Sequence, residues 1–268
     1  MTGGGMRRDL AALAGEHYDL LIIGGGIYGA ALLWEATLRG LSAALVEKGD
    51  FCAATSANSL KIIHGGLRYL QHADLPRMRE SIRERRALMR IAPHLVHPLP
   101  TLVPTYGHGM RSREVMALAM LMNDLISADR NRGLTDPEKH IPRGRTVSRE
   151  VVQHLAPGVD AEGLTGGAIY YDAQVYNSER LPLAFIRSAV ERGARAANYA
   201  EATGLLRRGD AIEGAQVTDR LSGQTFDVQA RMVVNTAGPW VHRGLGPGGG
   251  GEVRRGPRPG KPPQPGPP

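Results

Sequence analysis

Residues 18–47 constrain this chain more than any other segment. After Tyr18, Asp19-Leu-Leu-Ile-Ile23 is an apolar run of the kind found in a strand covered on both faces. It runs into Gly24-Gly25-Gly26-Ile27-Tyr28-Gly29. Ile27 to Arg39 then has helical character and stops at Gly40, a residue suited to the left-handed turn past a helix end. Ser42 to Glu47 reads as a second buried strand. Strand, glycine turn, helix and strand make a right-handed βαβ unit. The glycines fit G-x-G-x-x-G in the setting that gives the pattern meaning, with an acid, Glu47, 23 positions beyond Gly24. Gly24 permits the tight turn, Gly26 lets the backbone approach a phosphate, and Gly29 lets the helix pack close to the strand. With Gly25 and Ile27 they form a candidate cofactor-binding turn, where the helix N-terminus offers N–H groups and about half a positive charge to a pyrophosphate. Glu47 would accept hydrogen bonds from the ribose hydroxyls, and its charge disfavours the 2′-phosphate of NADP. The unit leaves FAD and NAD both open.

Bulk properties narrow the classes. A chain of 268 residues is long enough for one sizeable core, or for one domain with a large insertion. The formal charge of +7 suggests an anionic partner until it is located. From His242 onward there are five Arg or Lys and one Glu, so residues 1–241 carry only +3. With no basic stripe on the folded part and few aromatic rings to stack bases, nucleic-acid binding is not expected. The single cysteine, Cys52, excludes an intramolecular disulfide and fits a reducing compartment. Met1 to His17 has an Arg pair but no apolar core or cleavage site of a secretory signal. No run reaches the roughly 18 to 20 apolar residues needed to cross a bilayer. The expected location is the cytoplasm, with at most peripheral contact with the inner face of a membrane.

Along the chain, residues 1–17 read as a loose lead-in with a short helix at Arg8–Ala14, the ordered fold starting at Tyr18. Phe51 to His64 is small and polar, a loop. Leu75 to Ile91 is an amphipathic helix stopping before Pro93, its Arg79–Arg90 charge run most simply a solvated face. Pro98, Pro100 and Pro104 mark an extended segment, Leu95–Thr105. Helices are expected over Arg113–Ser127, Ser148–Leu155 and Ser178–Gly193. Strands are expected over Gly167–Val175, Ala197–Leu206, Ala211–Thr218 and Gln229–Asn235. After Val241 the last 27 residues hold nine Gly and eight Pro and almost nothing apolar. Such a tail cannot offset the entropy of ordering it, so disorder is expected.

Three segments decide between the dinucleotides: Ala54-Thr-Ser-Ala-Asn-Ser59, Lys61-Ile-Ile-His-Gly-Gly-Leu-Arg-Tyr69 and Val233-Val-Asn-Thr-Ala-Gly-Pro-Trp240. With them the chain resembles the FAD-dependent glycerol-3-phosphate dehydrogenases, within the D-amino-acid-oxidase-like flavoproteins. The resemblance runs from Asp19 to Val241 and is most specific in His64–Leu70 and Asn235–Trp240. It implies an α/β, Rossmann-like FAD-binding domain with a partial, inserted substrate domain. The expected order is a lead-in (1–17), the first part of the FAD-binding domain (18–92), an inserted substrate or cap segment (93–175), the second FAD-binding part (176–241) and the tail (242–268).

The resemblance also assigns residues. Thr55 and Ser56 fall where the family contacts the pyrophosphate and ribityl region. Lys61, His64, Gly65 and Gly66 match a segment beside the flavin ring, and Ala202 a position whose backbone meets the adenine. Thr236, Ala237 and Gly238 match a second FAD signature, and Arg68 an arginine of the substrate pocket. Leu60 departs from the pattern, standing where relatives often have a small hydroxyl residue. The implied reaction oxidises sn-glycerol 3-phosphate to dihydroxyacetone phosphate, with hydride passing from C2 to flavin N5 and electrons onward to a quinone. His64 is a candidate for the base that takes the hydroxyl proton, or for a substrate hydrogen bond, or it merely packs beside the flavin. Arg68 suits the substrate phosphate through two parallel hydrogen bonds, the alternative being a structural salt bridge.

Two other readings stay open: a related flavoenzyme acting on an amine or a hydroxy acid, and a non-catalytic nucleotide-binding fragment. The oligomeric state is left open. Pro93 and Pro98 remove the helix on which His94 and His97 would share a metal, and none is expected. Cys52 reads as a packed residue beside the cofactor loop. Met110, Met116, Met120 and Met122 read as core packing. Family members are longer, so the chain reads as truncated. Strands such as Met232–Val234 are then expected to lack cover, and FAD binding and turnover to be impaired.

Overall fold

The structure, a computed structural model, describes residues 6–107, 109 and 112–241. The tail, residues 242–268, and Met110 lie outside the described residues. In order the elements are α1 (Leu10–Gly15), β1 (His17–Ile23), α2 (Ile27–Leu38), β2 (Ala43–Val46), β3 (Ile62–Ile63), α3 (Leu75–Ile91), β4 (Val96–Tyr106) and α4 (Arg113–Ile126). There follow β5 (Arg145–Val147), α5 (Arg149–Leu155), β6 (Leu164–Val175), α6 (Arg180–Glu191), β7 (Arg195–Ala197), β8 (Ala200–Arg208), β9 (Ala211–Asp219) and β10 (Thr225–Asn235). The fold is α/β, and the described residues form two compact units: 6–56 with 182–241, and those of Ala57–Leu181. No helix among the described residues is long and apolar enough to cross a membrane.

The first unit is built on a six-stranded sheet of order β7-β2-β1-β10-β9-β8. The first three pairings are parallel and the last two antiparallel. Alternate side chains of β1 and β2 face opposite ways, and both faces are covered. Leu21, Ile23, Ala44 and Val46 pack with Ala215, Val217 and Val228 of the β8–β10 meander. Leu20, Ile22 and Leu45 pack with Ala30, Leu33 and Ala36 of α2 and with Ile186 and Ala189 of α6. Each such fully buried Leu or Ile contributes about 1.5–3 kcal/mol.

The lead-in is more than loose where it is described. Asp9 caps α1, Leu13 is buried in the meander core, and Tyr18 donates to the Ala12 carbonyl (3.2 Å). Arg8 donates to the Asn198 carbonyl (2.8 Å) and pairs with Asp219. The expected strand Ala197–Leu206 is two strands, β7 and β8, because Tyr199 takes a left-handed φ of 50° between them. β10 starts earlier than its apolar run, at Thr225. Residues 225–229 pair antiparallel with β9, and 229–235 parallel with β1. Met232 is 61% exposed, whereas Val234 is partly buried against the α2 and α6 core.

In the second unit β6 is the central strand, flanked by β4 along its length and by the short β3 and β5, all antiparallel. The expected loop 51–64 therefore ends in a strand, and β3, with the helix α3 that follows, belongs to this unit. Asp74 caps α3 by accepting from the Arg77 N–H, and Met78, Ile82 and Met89 are its buried stripe. α4 departs from the reading of its methionines: Met120 is buried, but Leu118, Leu121, Met122 and Leu125 are exposed.

Candidate cofactor and substrate sites

The glycine turn lies where β1 ends and α2 begins. Gly26 is the N-cap of α2, and its short extended backbone turns the chain into the helix. Gly24 has a φ of 107°, open to glycine and strained for other residues. A Cβ at Gly29 would overlap the Gly24 carbonyl oxygen, so only glycine lets the helix sit this close to the strand end. A Cβ at Gly25 would come within 2.8 Å of the Phe51 ring. Two turn donors are engaged: the Gly25 N–H donates to Glu47 Oε2 (2.7 Å) and the Ile27 N–H to Ser56 Oγ (2.9 Å). Among the described residues nothing accepts from the N–H of Gly26 or Tyr28. Open donors at the positive end of a helix, in a space closed to side chains, fit a diphosphate.

The ends of β2, β8 and β10 complete this crevice. Glu47 Oε1 also accepts from the Gly49 N–H (2.8 Å), which holds the carboxylate toward the turn. Ala200 at the start of β8 donates its N–H to the Glu47 carbonyl (2.8 Å). Ala202, two residues on, has its side chain in the core. Thr236, just past β10, donates its N–H to the Ile23 carbonyl (2.8 Å), and its hydroxyl reaches the carbonyls of Ile23 (3.0 Å) and Gly24 (2.9 Å). The Thr236 hydroxyl is thus committed to holding the glycine turn. Ala237 donates its N–H to Asn235 Oδ1 (3.0 Å), and Gly238 opens a 3-10 turn through Trp240. Over the Trp240 ring stands Lys48 Nζ, 4.9 Å from the centroid. Thr55 is exposed on the turn that brings Ser56 to Ile27. Cys52 is buried beside it, its Sγ donating to the Gly25 carbonyl (3.2 Å).

The remaining candidates lie together in the second unit. Lys61 has a left-handed φ of 58°, a strained state for a long side chain. His64 is exposed, and its ring meets that of Tyr69 edge-on at 6.0 Å. The guanidiniums of Arg68 and Arg77 stand over the same Tyr69 ring, at 5.3 and 5.6 Å. Arg77 pairs with Asp74. Among the described residues Arg68 pairs with no carboxylate. Beneath the exposed turn lies an ion pair. Asp172 Oδ1 accepts from the Gly65 N–H (2.6 Å) and from Arg85 Nη1 (2.9 Å), which also donates to the Tyr171 carbonyl (3.0 Å). A Cβ at Gly65 would collide with that guanidinium. Gly66 follows with φ 79° and starts the 3-10 turn Leu67–His72.

The α3 charge run is a solvated face only in part: Glu80, Arg83, Glu84 and Arg90 are exposed, but three of its arginines turn inward to carboxylates. Arg85 is 4% exposed, and Arg79 and Arg86 both pair with Asp129 at 2.6 Å. His97 stacks on Tyr176 (4.7 Å) and its Nδ1 meets Lys139 Nζ (2.8 Å).

Comparison with known proteins follows the same residues. Positions 19–262 match the family described as FAD dependent oxidoreductase. This chain belongs to that family. A glycerol-3-phosphate dehydrogenase of Synechocystis sp. is 39% identical over 237 residues, 87% of this chain and 41% of its own length. Glycerol-3-phosphate dehydrogenase 1 of Mycobacterium tuberculosis is 41% identical over 239 residues, 87% of this chain and 44% of its own. The chain spans about two-fifths of the length of these curated relatives. The X-ray structure of glycerol-3-phosphate dehydrogenase from Bacillus halodurans complexed with FAD superposes with a TM-score of 0.64 at 28% identity, over 87% of this chain and 36% of that one. L-proline dehydrogenase from P. horikoshii, at 18% identity and TM-score 0.59, shares the fold.

Of the two dinucleotides the βαβ unit left open, the family takes FAD. In this FAD dependent oxidoreductase, sequence reasoning missed Asp172 and Arg85. A signal for Arg85 was there: it follows Met78 by seven residues and Ile82 by three, on the apolar stripe of α3. Asp172 carried none, since only the β4–β6 pairing and the packing of α3 bring it to Gly65.

Proposed function

We propose that this chain carries the FAD-binding unit and the first substrate ligands of an enzyme oxidising sn-glycerol 3-phosphate to dihydroxyacetone phosphate. The observation that carries the reading is Arg68, an arginine without a carboxylate partner among the described residues, beside His64 and Tyr69 in the segment His64–Leu70. The names of the relatives at 39% and 41% identity support the same substrate.

FAD, when bound, supplies the hydride acceptor that oxidation of a secondary alcohol needs. The N–H groups of Gly26 and Tyr28 hold its diphosphate, with Gly24, Gly25 and Gly29 keeping side chains out and Ile27 sharing the helix start. Thr55 and Ser56 flank that diphosphate. A carboxylate has about four acceptor positions. Glu47 gives two to Gly25 and Gly49 and keeps the rest for the ribose hydroxyls. The backbone at Ala202 lies by the adenine, and Ala237 and Gly238 close the crevice that Thr236 holds in shape. Arg68 binds the substrate phosphate in a forked pair of hydrogen bonds. His64 takes the C2 hydroxyl proton on an imidazole nitrogen as the C2 hydride leaves. Lys61, Gly65 and Gly66 are proposed to border the flavin ring, and electrons leave to a quinone.

The test is anaerobic titration of the FAD-loaded chain with glycerol 3-phosphate, read as bleaching of the flavin absorbance. Arg68→Ala is expected to raise the half-saturating concentration at least tenfold, consistent with about 1.5–3 kcal/mol for a hydrogen bond to a charged group. His64→Gln is expected to slow reduction with little change in that concentration. Bleaching by an amine or another hydroxy acid, with none by glycerol 3-phosphate, would overturn the substrate.

A further inference from the structure

We propose that Asp172 and Arg85 are positioning residues for His64, a proposal that rests on the reading of His64 as the proton-accepting group. The His64 imidazole has no hydrogen-bond partner among the described residues, and its one ring contact is the edge of Tyr69. What fixes the place of its Cα is the backbone of the turn. The Gly65 N–H belongs to the peptide plane that begins at the His64 carbonyl, and Asp172 Oδ1 holds that N–H at 2.6 Å. The Arg85 guanidinium lies where a Cβ at Gly65 would stand, packed directly against the backbone that Asp172 holds. Arg85 in turn fixes Asp172 at 2.9 Å and bonds the neighbouring Tyr171 carbonyl.

Arg85 is 4% and Asp172 8% exposed, although the turn they hold carries an exposed histidine. A buried ion pair is a poor source of stability compared with apolar packing. Its placement under this one turn is explained by orientation: a charged acceptor locks a single peptide plane more tightly than an apolar contact can. Misplacing a reacting group by about 1 Å can cost on the order of 100-fold in rate.

The experiment uses the full chain, isotope-labelled for NMR. The variants are Asp172→Asn, which keeps an oxygen acceptor, Asp172→Ala, and the double variant Arg85→Met with Asp172→Ala. The double variant removes both charges, so neither is left buried alone. Expected in the double variant are Gly65 amide exchange accelerated about 100-fold and loss of the His64–Tyr69 ring contact. Methyl contacts among Met78, Ile82 and Met89 persist, and Asp172→Asn retains much of the ring contact. An unchanged Gly65 amide and ring contact in the double variant overturns the proposal.

A kinetic arm reads reduction of the FAD-loaded protein by glycerol 3-phosphate. The double variant slows it roughly 10- to 100-fold with KM within about twofold, and adds nothing once His64 is Gln. Full additivity overturns the proposal. If His64→Gln alone leaves the rate unchanged, the reading of His64 as base falls, and the ring-contact measurement decides the positioning role by itself.

Discussion

Gly29 is the position where a single atom decides most. Its Cβ would meet the Gly24 carbonyl, part of a turn that Thr236 clamps from the other side. Neither neighbour is a flexible side-chain end. Gly29→Ala should therefore destabilise the first unit by about 1–3 kcal/mol, and abolish FAD retention first. Urea denaturation with and without FAD would check this, and an unchanged midpoint would sink it. Glu47 makes a different demand. Glu47→Gln keeps the shape but turns one of its two acceptor oxygens into a donor, facing either the Gly25 or the Gly49 N–H. FAD affinity should fall about tenfold or more, since hydrogen bonds to a charged acceptor are worth about 1.5–3 kcal/mol. Equilibrium dialysis measures it, and affinity within twofold of the parent would remove Glu47 from the ribose site.

Elements differ in how far their sequence announces them. β1, α2 and β2 were legible because buried strands read as apolar runs and the glycine turn separates them. The short β3, β5 and β7 were not, because two or three residues carry no periodicity and exist only through pairing with β6 or β2. α3 was legible as a helix but not in its partners, since Asp129, which gathers Arg79 and Arg86, sits 50 and 43 residues away from them. Arg79, with Arg86, holds the Asp129 carboxyl well below the usual carboxylate range. Because the folded pKa is depressed, the stabilisation is complete above the ordinary carboxylate value of about 4 and drains away as pH falls from there toward the folded one. The denaturation midpoint of Asp129→Asn should lie below the parent's at pH 6, with the gap narrowing steadily as pH falls below about 4. A gap that persists undiminished into acid would refute the electrostatic account.

At the scale of the molecule, burial is unevenly spread. Leu21, Ile22, Ala44 and Leu45 are fully buried at the centre of the six-stranded sheet, whereas β8 and β7 are its edges. Hydrogen exchange should leave the amides of β1 and β2 slowest and those of the outer half of β8 at least 100-fold faster. Uniform exchange across the sheet would contradict this ordering. The nucleotide cradle draws on both ends of that architecture, for the hydroxyl that steadies the Gly24 carbonyl belongs to a residue 212 positions later. A ribosome that has delivered the βαβ segment has therefore made the halves of a grip but not its latch. Vectorial synthesis imposes a delay between the two, during which a nascent chain arrested short of Thr236 should retain the coenzyme poorly even with every glycine in place.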